Sequence, residues 1–138
     1  MAYEYLDGVG GDAALRATGP TLALALADAA RGLSAMFADP SEVHAKRTAW
    51  VDVAPGEPGD QAVEFLGEIV YLFDTEGFVA GDVRVGSAGA GGFRAELRGE
   101  AYDPARHTTR AAVKAVTYHA LDVGRTNGGW AVRVTFDL

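Results

Sequence analysis

The chain has 138 residues, carries a formal net charge of −7 and contains no cysteine. This length is typical of one domain and is sufficient for a hydrophobic core without covalent cross-links. The lack of cysteine excludes disulfides, thiolate metal sites and a cysteine nucleophile, and the lack of a basic run disfavours strong direct binding of nucleic acid.

No basic segment followed by an apolar run occurs near residue 1, so we expect no signal peptide. No apolar run reaches the roughly 18 residues that a membrane-spanning helix needs. The absence of cysteine is typical of a reducing compartment. We therefore expect a cytoplasmic protein without a membrane partner.

The first third of the chain predicts two strands and a helix. Alternation over 3–6 and 14–18 predicts strands on either side of a glycine-rich turn at 7–12. Gly19-Pro20 ends the second strand, and Thr21 is a suitable N-cap for a helix over 21–38.

A second helix is predicted over 60–76, with Asp60 as its N-cap and Gly77 at its C-terminal end. Its polar positions form one narrow stripe, which comprises Gln61, Glu64, Glu68, Tyr71 and Thr75. A helix with so thin a polar edge is expected to be mostly buried. We therefore expect the rest of the chain to pack around it.

The other predicted elements are a strand over 42–53, a hairpin of 78–85 and 93–98 around a flexible loop at 86–92, a short helix over 103–113, and a final hairpin of 116–123 and 130–136. Asn127-Gly128 in the last connection is a typical hairpin turn. Strands in runs with two main helices between them indicate an α+β fold. We predict a single two-layer domain in which a mostly antiparallel sheet packs against the helices at about 21–38 and 60–76.

The segment from Gly8 to Ala13 fits the G-x-G-x-x-A pattern of dinucleotide-binding loops. Such a loop must open a helix whose N-terminus meets the pyrophosphate. Here a strand-like pattern follows, so we interpret the segment as a turn.

Carboxylates at the two ends of the chain form the one candidate metal site. Asp7, Asp12, Asp137 and the C-terminal carboxylate of Leu138 would meet if the first and last strands are neighbours. Oxygen ligands of this kind suit Ca²⁺ or Mg²⁺. The residues alone leave a second interpretation open, in which Asp7 and Asp12 cap the turn and Asp137 is simply exposed.

No catalytic arrangement is visible elsewhere. The serines lie in no nucleophile elbow, and the histidines, His44, His107 and His119, lie far apart without metal-ligand spacing. Trp50 and Trp130 are most simply core residues. We therefore expect a protein that is not an enzyme.

Six segments along the whole chain share the pattern of one known family. They are residues 3–7, 12–19, 64–77, 97–107, 113–119 and 136–138, and the most specific are LFDTEG at 72–77 and VKAVTYH at 113–119. On these motifs the chain resembles archease, a family of small acidic proteins that assist RNA ligation. The resemblance covers residues 1–138 as one archease-like domain.

This resemblance implies a function. Archeases are cofactors of the GTP-dependent tRNA-splicing ligase, whose guanylylation and multiple turnover they promote, and the family is also described as a chaperone of a tRNA methyltransferase. Its members carry a divalent cation, for which calcium is expected and magnesium or manganese are alternatives. By motif the ligands fall on Asp12 and Asp137, with oxygens of Leu138 as further donors.

One departure from the family pattern lies in the first turn. The family reads Asp-His-Thr-Ala-Asp where this chain reads Asp7-Gly8-Val9-Gly10-Gly11-Asp12, one residue longer.

Three candidate functions remain to be tested. They are an activator of an RNA ligase, a binding partner or chaperone of a tRNA methyltransferase or another RNA-modifying enzyme, and a small metal-dependent hydrolase.

Overall fold

The structure is a computed structural model that describes residues 3–7, 12–89 and 91–138. Its elements are β1 (Tyr3–Asp7), β2 (Ala13–Gly19), α1 (Leu22–Phe37), a 3₁₀ turn (Pro40–Glu42), β3 (Arg47–Val53), α2 (Pro58–Glu76), β4 (Phe78–Gly89), β5 (Gly92–Ala101), β6 (Ala115–Thr126) and β7 (Gly129–Asp137). Within these described ranges, no helix has both the length and the apolar character that crossing a bilayer demands.

The strands form two antiparallel sheets. The four-stranded sheet has the order β1-β2-β7-β6, and the three-stranded sheet has the order β3-β5-β4. The predicted α+β class, with mostly antiparallel strands and two main helices, is confirmed, although the strands are divided between two sheets. A strand, β2, follows the G-x-G-x-x-A segment, which agrees with its interpretation as a turn.

The helix at the centre of the molecule is α1, which contacts β2 of one sheet and β4 of the other. Eleven of its 16 residues are buried, whereas six of the 19 residues of α2 are buried. The prediction that α2 is mostly buried and organises the core is therefore wrong. The alanines of α1, together with Gly32, let both sheets approach this helix closely. The hydrophobic pattern of α2, on which the prediction depended, carries no information about this packing.

The ends of the helices test the capping predictions. The Thr21 hydroxyl accepts a hydrogen bond from the Leu24 amide (3.2 Å), and Gly77 adopts a left-handed conformation with φ of 62°. Both predictions are confirmed. Asp60 is not the N-cap of α2, because the helix already begins at Pro58, whose fixed φ suits the first turn.

Gln61 was expected on the polar stripe but is buried. Its side-chain amide donates hydrogen bonds to the carbonyl oxygens of Ala54 (3.1 Å) and Gly91 (2.8 Å), which lie in the loops at that end of the helix. A glutamine can occupy this position because both of its N–H groups find partners there.

Several other boundaries differ from the predictions. The strand expected over 42–53 is confined to β3, and the loop expected at 86–92 is largely part of β4 and β5. The prediction of a helix over 103–113 is wrong. The segment forms a single turn, in which the carbonyl oxygen of Asp103 accepts hydrogen bonds from the amides of Arg106 and His107. The final hairpin turns at Asn127-Gly128, as predicted, with Gly128 at φ of 82°.

The tryptophans are not both core residues. Trp50 is 54% exposed on the outer face of the three-stranded sheet, where the Arg94 guanidinium lies 5.1 Å from the centre of its ring. Trp130 is half-buried and carries Arg125 at 5.4 Å. Arginine stacking compensates in part for exposing an aromatic surface.

Candidate functional site

The second and last strands of the chain are neighbours because β2 pairs with β7, whereas the first strand, β1, pairs only with β2. The register aligns Ala13 with Phe136, and its extension by one residue beyond the start of β2 would set Asp12 opposite Asp137. Phe136 and Val134 are fully buried in the core, so alternation directs Asp137 to the outer face of the four-stranded sheet. Opposed residues of antiparallel strands project to the same side with Cβ atoms roughly 5 Å apart.

The C-terminal end of β7 is fixed by its neighbour β6. Asp137 pairs with Ala115, and its carbonyl oxygen accepts a hydrogen bond from the Lys114 amide (2.8 Å). Leu138 follows and is 42% exposed. Its terminal carboxylate follows Asp137 by one residue.

Carboxylate oxygens are the ligand type that hard divalent cations prefer. Considering the described part of the chain, neither Asp12 nor Asp137 makes a side-chain hydrogen bond or ion pair, and no group of three or more His, Cys, Asp and Glu side chains is placed to hold a metal. Two aspartates and a terminal carboxylate supply oxygen ligands of the type that Ca²⁺ and Mg²⁺ prefer, and water would complete the coordination shell. Residues 8–11 of the altered turn lie outside the described residues.

A second polar cluster surrounds Glu100, which is only 4% exposed. Its carboxylate accepts hydrogen bonds from Arg106 Nη2 (2.6 Å) and the His44 amide (2.7 Å). His107 Nε2 lies 3.0 Å from the same carboxylate, while His107 Nδ1 accepts from the Asp103 amide (2.9 Å). His107 is therefore the tautomer that carries its proton on Nε2 and donates to Glu100.

This cluster is structural. The hydrogen bond from Arg106, followed by that from the His44 amide, holds the pKa of Glu100 well below its usual range. The same hydrogen bond raises the pKa of Arg106. Both carboxylate oxygens are engaged by the protein, so Glu100 is not placed to take a proton from a substrate. Glu100 and His107 both lie in the Leu97-to-His107 motif, but no local sequence pattern predicts that they form a buried network.

Glu100→Gln is expected to alter the pH dependence of stability. A lowered pKa means that Glu100 stabilises the folded state above its ordinary pKa of about 4.5 and that this contribution is lost as pH falls. Urea unfolding between pH 7 and 2.5 should show wild-type stability falling below pH 4.5. The variant should be less stable at neutral pH, and its unfolding should take up as much as about one proton fewer than that of the wild type in the acid range.

Glu68→Gln is the matched control, since Glu68 is exposed on α2. Its pH profile should follow that of the wild type. Equal acid sensitivity of the Glu100 variant and the wild type would show that Glu100 is not held in its charged form by these contacts.

Comparison with known proteins agrees with this architecture. The sequence matches the archease protein family over residues 3–138. It is 31% identical to a protein named archease from Aeropyrum pernix, covering 92% of this chain and 91% of that one, and 32% identical to another from Thermococcus gammatolerans, covering 99% and 96%.

Two solved structures share the fold. The solution structure of Methanobacterium thermoautotrophicum protein 1598 superimposes with a TM-score of 0.79 at 24% identity and covers 99% of both chains. The crystal structure of a Thermotoga maritima protein, described as an archease and possible chaperone, gives a TM-score of 0.65 at 16% identity and covers 91% of this chain and 89% of that one. Because the family match spans nearly all residues and the sequence relatives align over almost their full length, this chain belongs to the archease family.

Proposed function

We propose that this protein is a non-enzymatic cofactor that activates a GTP-dependent tRNA-splicing or RNA-repair ligase in the cytoplasm. The activating site would be a divalent cation, most simply Ca²⁺, held by Asp12 and Asp137 with oxygens of Leu138. The observation that supports this most is the β2–β7 register, which brings segments from near the two ends of the sequence to the same end of two inner strands.

The residues have distinct parts in this proposal. Asp12 immediately precedes β2 and Asp137 ends β7, so in this proposal the paired strands would set the separation of the two carboxylates before any ion binds. Leu138 continues from β7 into solvent, which leaves the outer side of the site open to another protein. When bound, the cation would supply positive charge for a phosphate-transfer step in the partner.

The same surroundings argue against independent catalysis. Within the described residues, the buried Glu100 and His107 bind each other and are not directed at the carboxylates of Asp12 and Asp137. Neither Glu100 nor His107 is therefore free to serve as the base of a hydrolytic reaction. A hydrolase would need a base or a nucleophile within reach of its substrate.

The test is multiple-turnover ligation by the ligase of the same organism, with and without this protein. The protein is first dialysed against a calcium-selective chelator and then reloaded with Ca²⁺, Mg²⁺ or Mn²⁺. We expect the reloaded protein, and not the stripped one, to let each ligase molecule complete many cycles. Assays of the ligase alone at each chelator concentration measure how far the chelator acts on the ligase's own metals, so that this effect can be subtracted. Stimulation that is identical for stripped and loaded protein would refute the cation's part in the mechanism.

A second candidate is a chaperone or binding partner of a tRNA methyltransferase or another RNA-modifying enzyme. The description of the Thermotoga relative as a possible chaperone favours it. Co-purification with a methyltransferase, together with no effect on ligation at any metal loading, would support this function in place of ligase activation.

A further inference from the structure

Arg16 and Arg133 lie directly opposite each other on β2 and β7, the two inner strands of the four-stranded sheet. Their neighbours Leu15, Ala17, Val132 and Val134 are fully buried, so both arginines project from the outer face, where both are exposed. Like charges that oppose each other across antiparallel strands destabilise the pair. The presence of two opposed arginines, despite this loss of stability, therefore needs an explanation.

The other arginines of the chain are not arranged in this way. Of the ten arginines, six form ion pairs with carboxylates and two lie over tyrosine or tryptophan rings. Within residues 3–7, 12–89 and 91–138, Arg16 and Arg133 form neither kind of contact. The chain has 19 acidic residues against 12 basic ones, so a shortage of carboxylates does not explain this.

The neighbouring strands place acidic residues in the same row. Glu4 is aligned with Arg16, and Asp122 is aligned with Arg133. Neither acid forms an ion pair with its neighbour among the described contacts. The row therefore has two adjacent cations at its centre and one anion at each end, which limits the central site to a compact anion.

Small residues flank the pair on both sides, of which Thr18 and Ala131 are partly exposed, whereas Ala14 and Thr135 are buried. The adjacent row on one side contains Ala14 and Thr135, and that on the other contains Thr18 and Ala131. A cavity of about 210 Å³ lies on the β1 side of Arg16, with Tyr3, Glu4 and Thr18 as its other lining residues, and Arg133 does not line it. An anion that touches both guanidinium groups would therefore lie over the exposed surface between them and not in this cavity.

We propose that Arg16 and Arg133 form a binding site for a doubly charged phosphate, such as the terminal phosphate of a nucleotide or of an RNA end. Each guanidinium presents parallel N–H donors that match phosphate oxygens. A phosphomonoester carries nearly two negative charges at pH 7, which balances the pair, whereas each internal phosphate of RNA carries one. Binding would also remove the repulsion between the two arginines.

The carboxylates at the end of the same face favour a terminal phosphate over a long polyanion. Asp12 lies four residues from Arg16 along β2, a distance of roughly 13 Å. A run of RNA phosphates extending towards Asp12 and Asp137 would be repelled in the absence of a cation. This inference does not depend on ligase activation and is tested by binding alone.

The experiment is a ¹H–¹⁵N NMR titration of the whole protein with inorganic phosphate at constant ionic strength, following the arginine Nε–H signals. We expect the signals of Arg16 and Arg133 to shift, and Arg16→Gln and Arg133→Gln each to weaken binding by about tenfold. Arg84→Gln is the matched control: Arg84 is an exposed strand arginine that is ion-paired with Asp82, and its loss should leave the affinity unchanged.

A thermal measurement distinguishes a binding site from a structural role. Without phosphate, neutralising either arginine should raise Tm by about 1–3 °C because repulsion is removed. Phosphate should then stabilise the wild type and not the variants. A fall in Tm for both variants, with an unchanged response to phosphate, would overturn the proposal.

Three further titrants identify the source of the phosphate. Guanosine monophosphate and a short RNA with a 3′-phosphate test the two sources, and the same RNA with a 3′-hydroxyl tests the internal phosphates. Binding that needs the terminal phosphate supports the proposal, and its strength shows which source is preferred. Equal binding of both RNAs, or no shift with any phosphate, would contradict it.

Discussion

Asp137→Asn is expected to abolish stimulation of the ligase while leaving the fold intact. The substitution removes one negative charge from the proposed cation site and keeps the size of the side chain. Loss of partners that merely orient a metal ligand weakens binding by roughly 10–100-fold, so loss of a ligand itself should weaken it by at least about 100-fold. Calcium affinity by calorimetry and multiple-turnover ligation are the two measurements.

The fold should not change because Asp137 is exposed at the end of β7 and its backbone, not its side chain, bonds to Lys114. Asp74→Asn, on the exposed side of α2, is the control and should behave as the wild type in both assays. Full stimulation by the Asp137 variant would remove the cation site from the mechanism and would leave the family assignment untouched.

Gly99→Ala is expected to cause the largest loss of stability. A Cβ atom at this position of β5 would overlap the carbonyl oxygen of Val79 in the paired strand β4. Both partners are backbone in the interior of a sheet, so the strands themselves must separate. The cost should exceed about 3 kcal/mol, the upper end of ordinary overpacking, out of a total of roughly 5–15 kcal/mol.

Gly86→Ala provides the matched control in the same sheet. A Cβ atom at Gly86 would meet no atom within 4 Å, so its effect on the free energy of unfolding should stay within about 1 kcal/mol. Urea denaturation of the two variants measures the difference. Similar stabilities would mean that the strands relax around Gly99 at little cost.

The candidate cation site was predicted from a family motif and not from a local sequence pattern. Asp12 and Asp137 were proposed from the resemblance, and the residues alone left open whether they meet. The structure shows that the two segments are neighbours through the pairing of β2 with β7, which no local pattern specifies because most of the chain lies between these strands. The pairing of Arg16 with Arg133 cannot be predicted from the sequence for the same reason. Each is an ordinary exposed strand arginine, and only the register sets them side by side.

The sequence by itself determined the features that depend on a few consecutive residues. Thr21 begins α1, Gly77 ends α2, Asn127-Gly128 turns the last hairpin, and alternation marks β1, β2 and β7. Each follows from backbone sterics or from a hydrogen bond within one turn.

Only the tertiary structure decided what lies at the centre. The strongly apolar α2 predicted a buried helix, yet the alanine-rich α1 occupies the core because small side chains allow two sheets to pack against one helix. The network that buries Glu100 likewise joins residues from separate segments. Burial and cross-strand contacts depend on which surfaces meet, and that is settled by the packing of the whole chain.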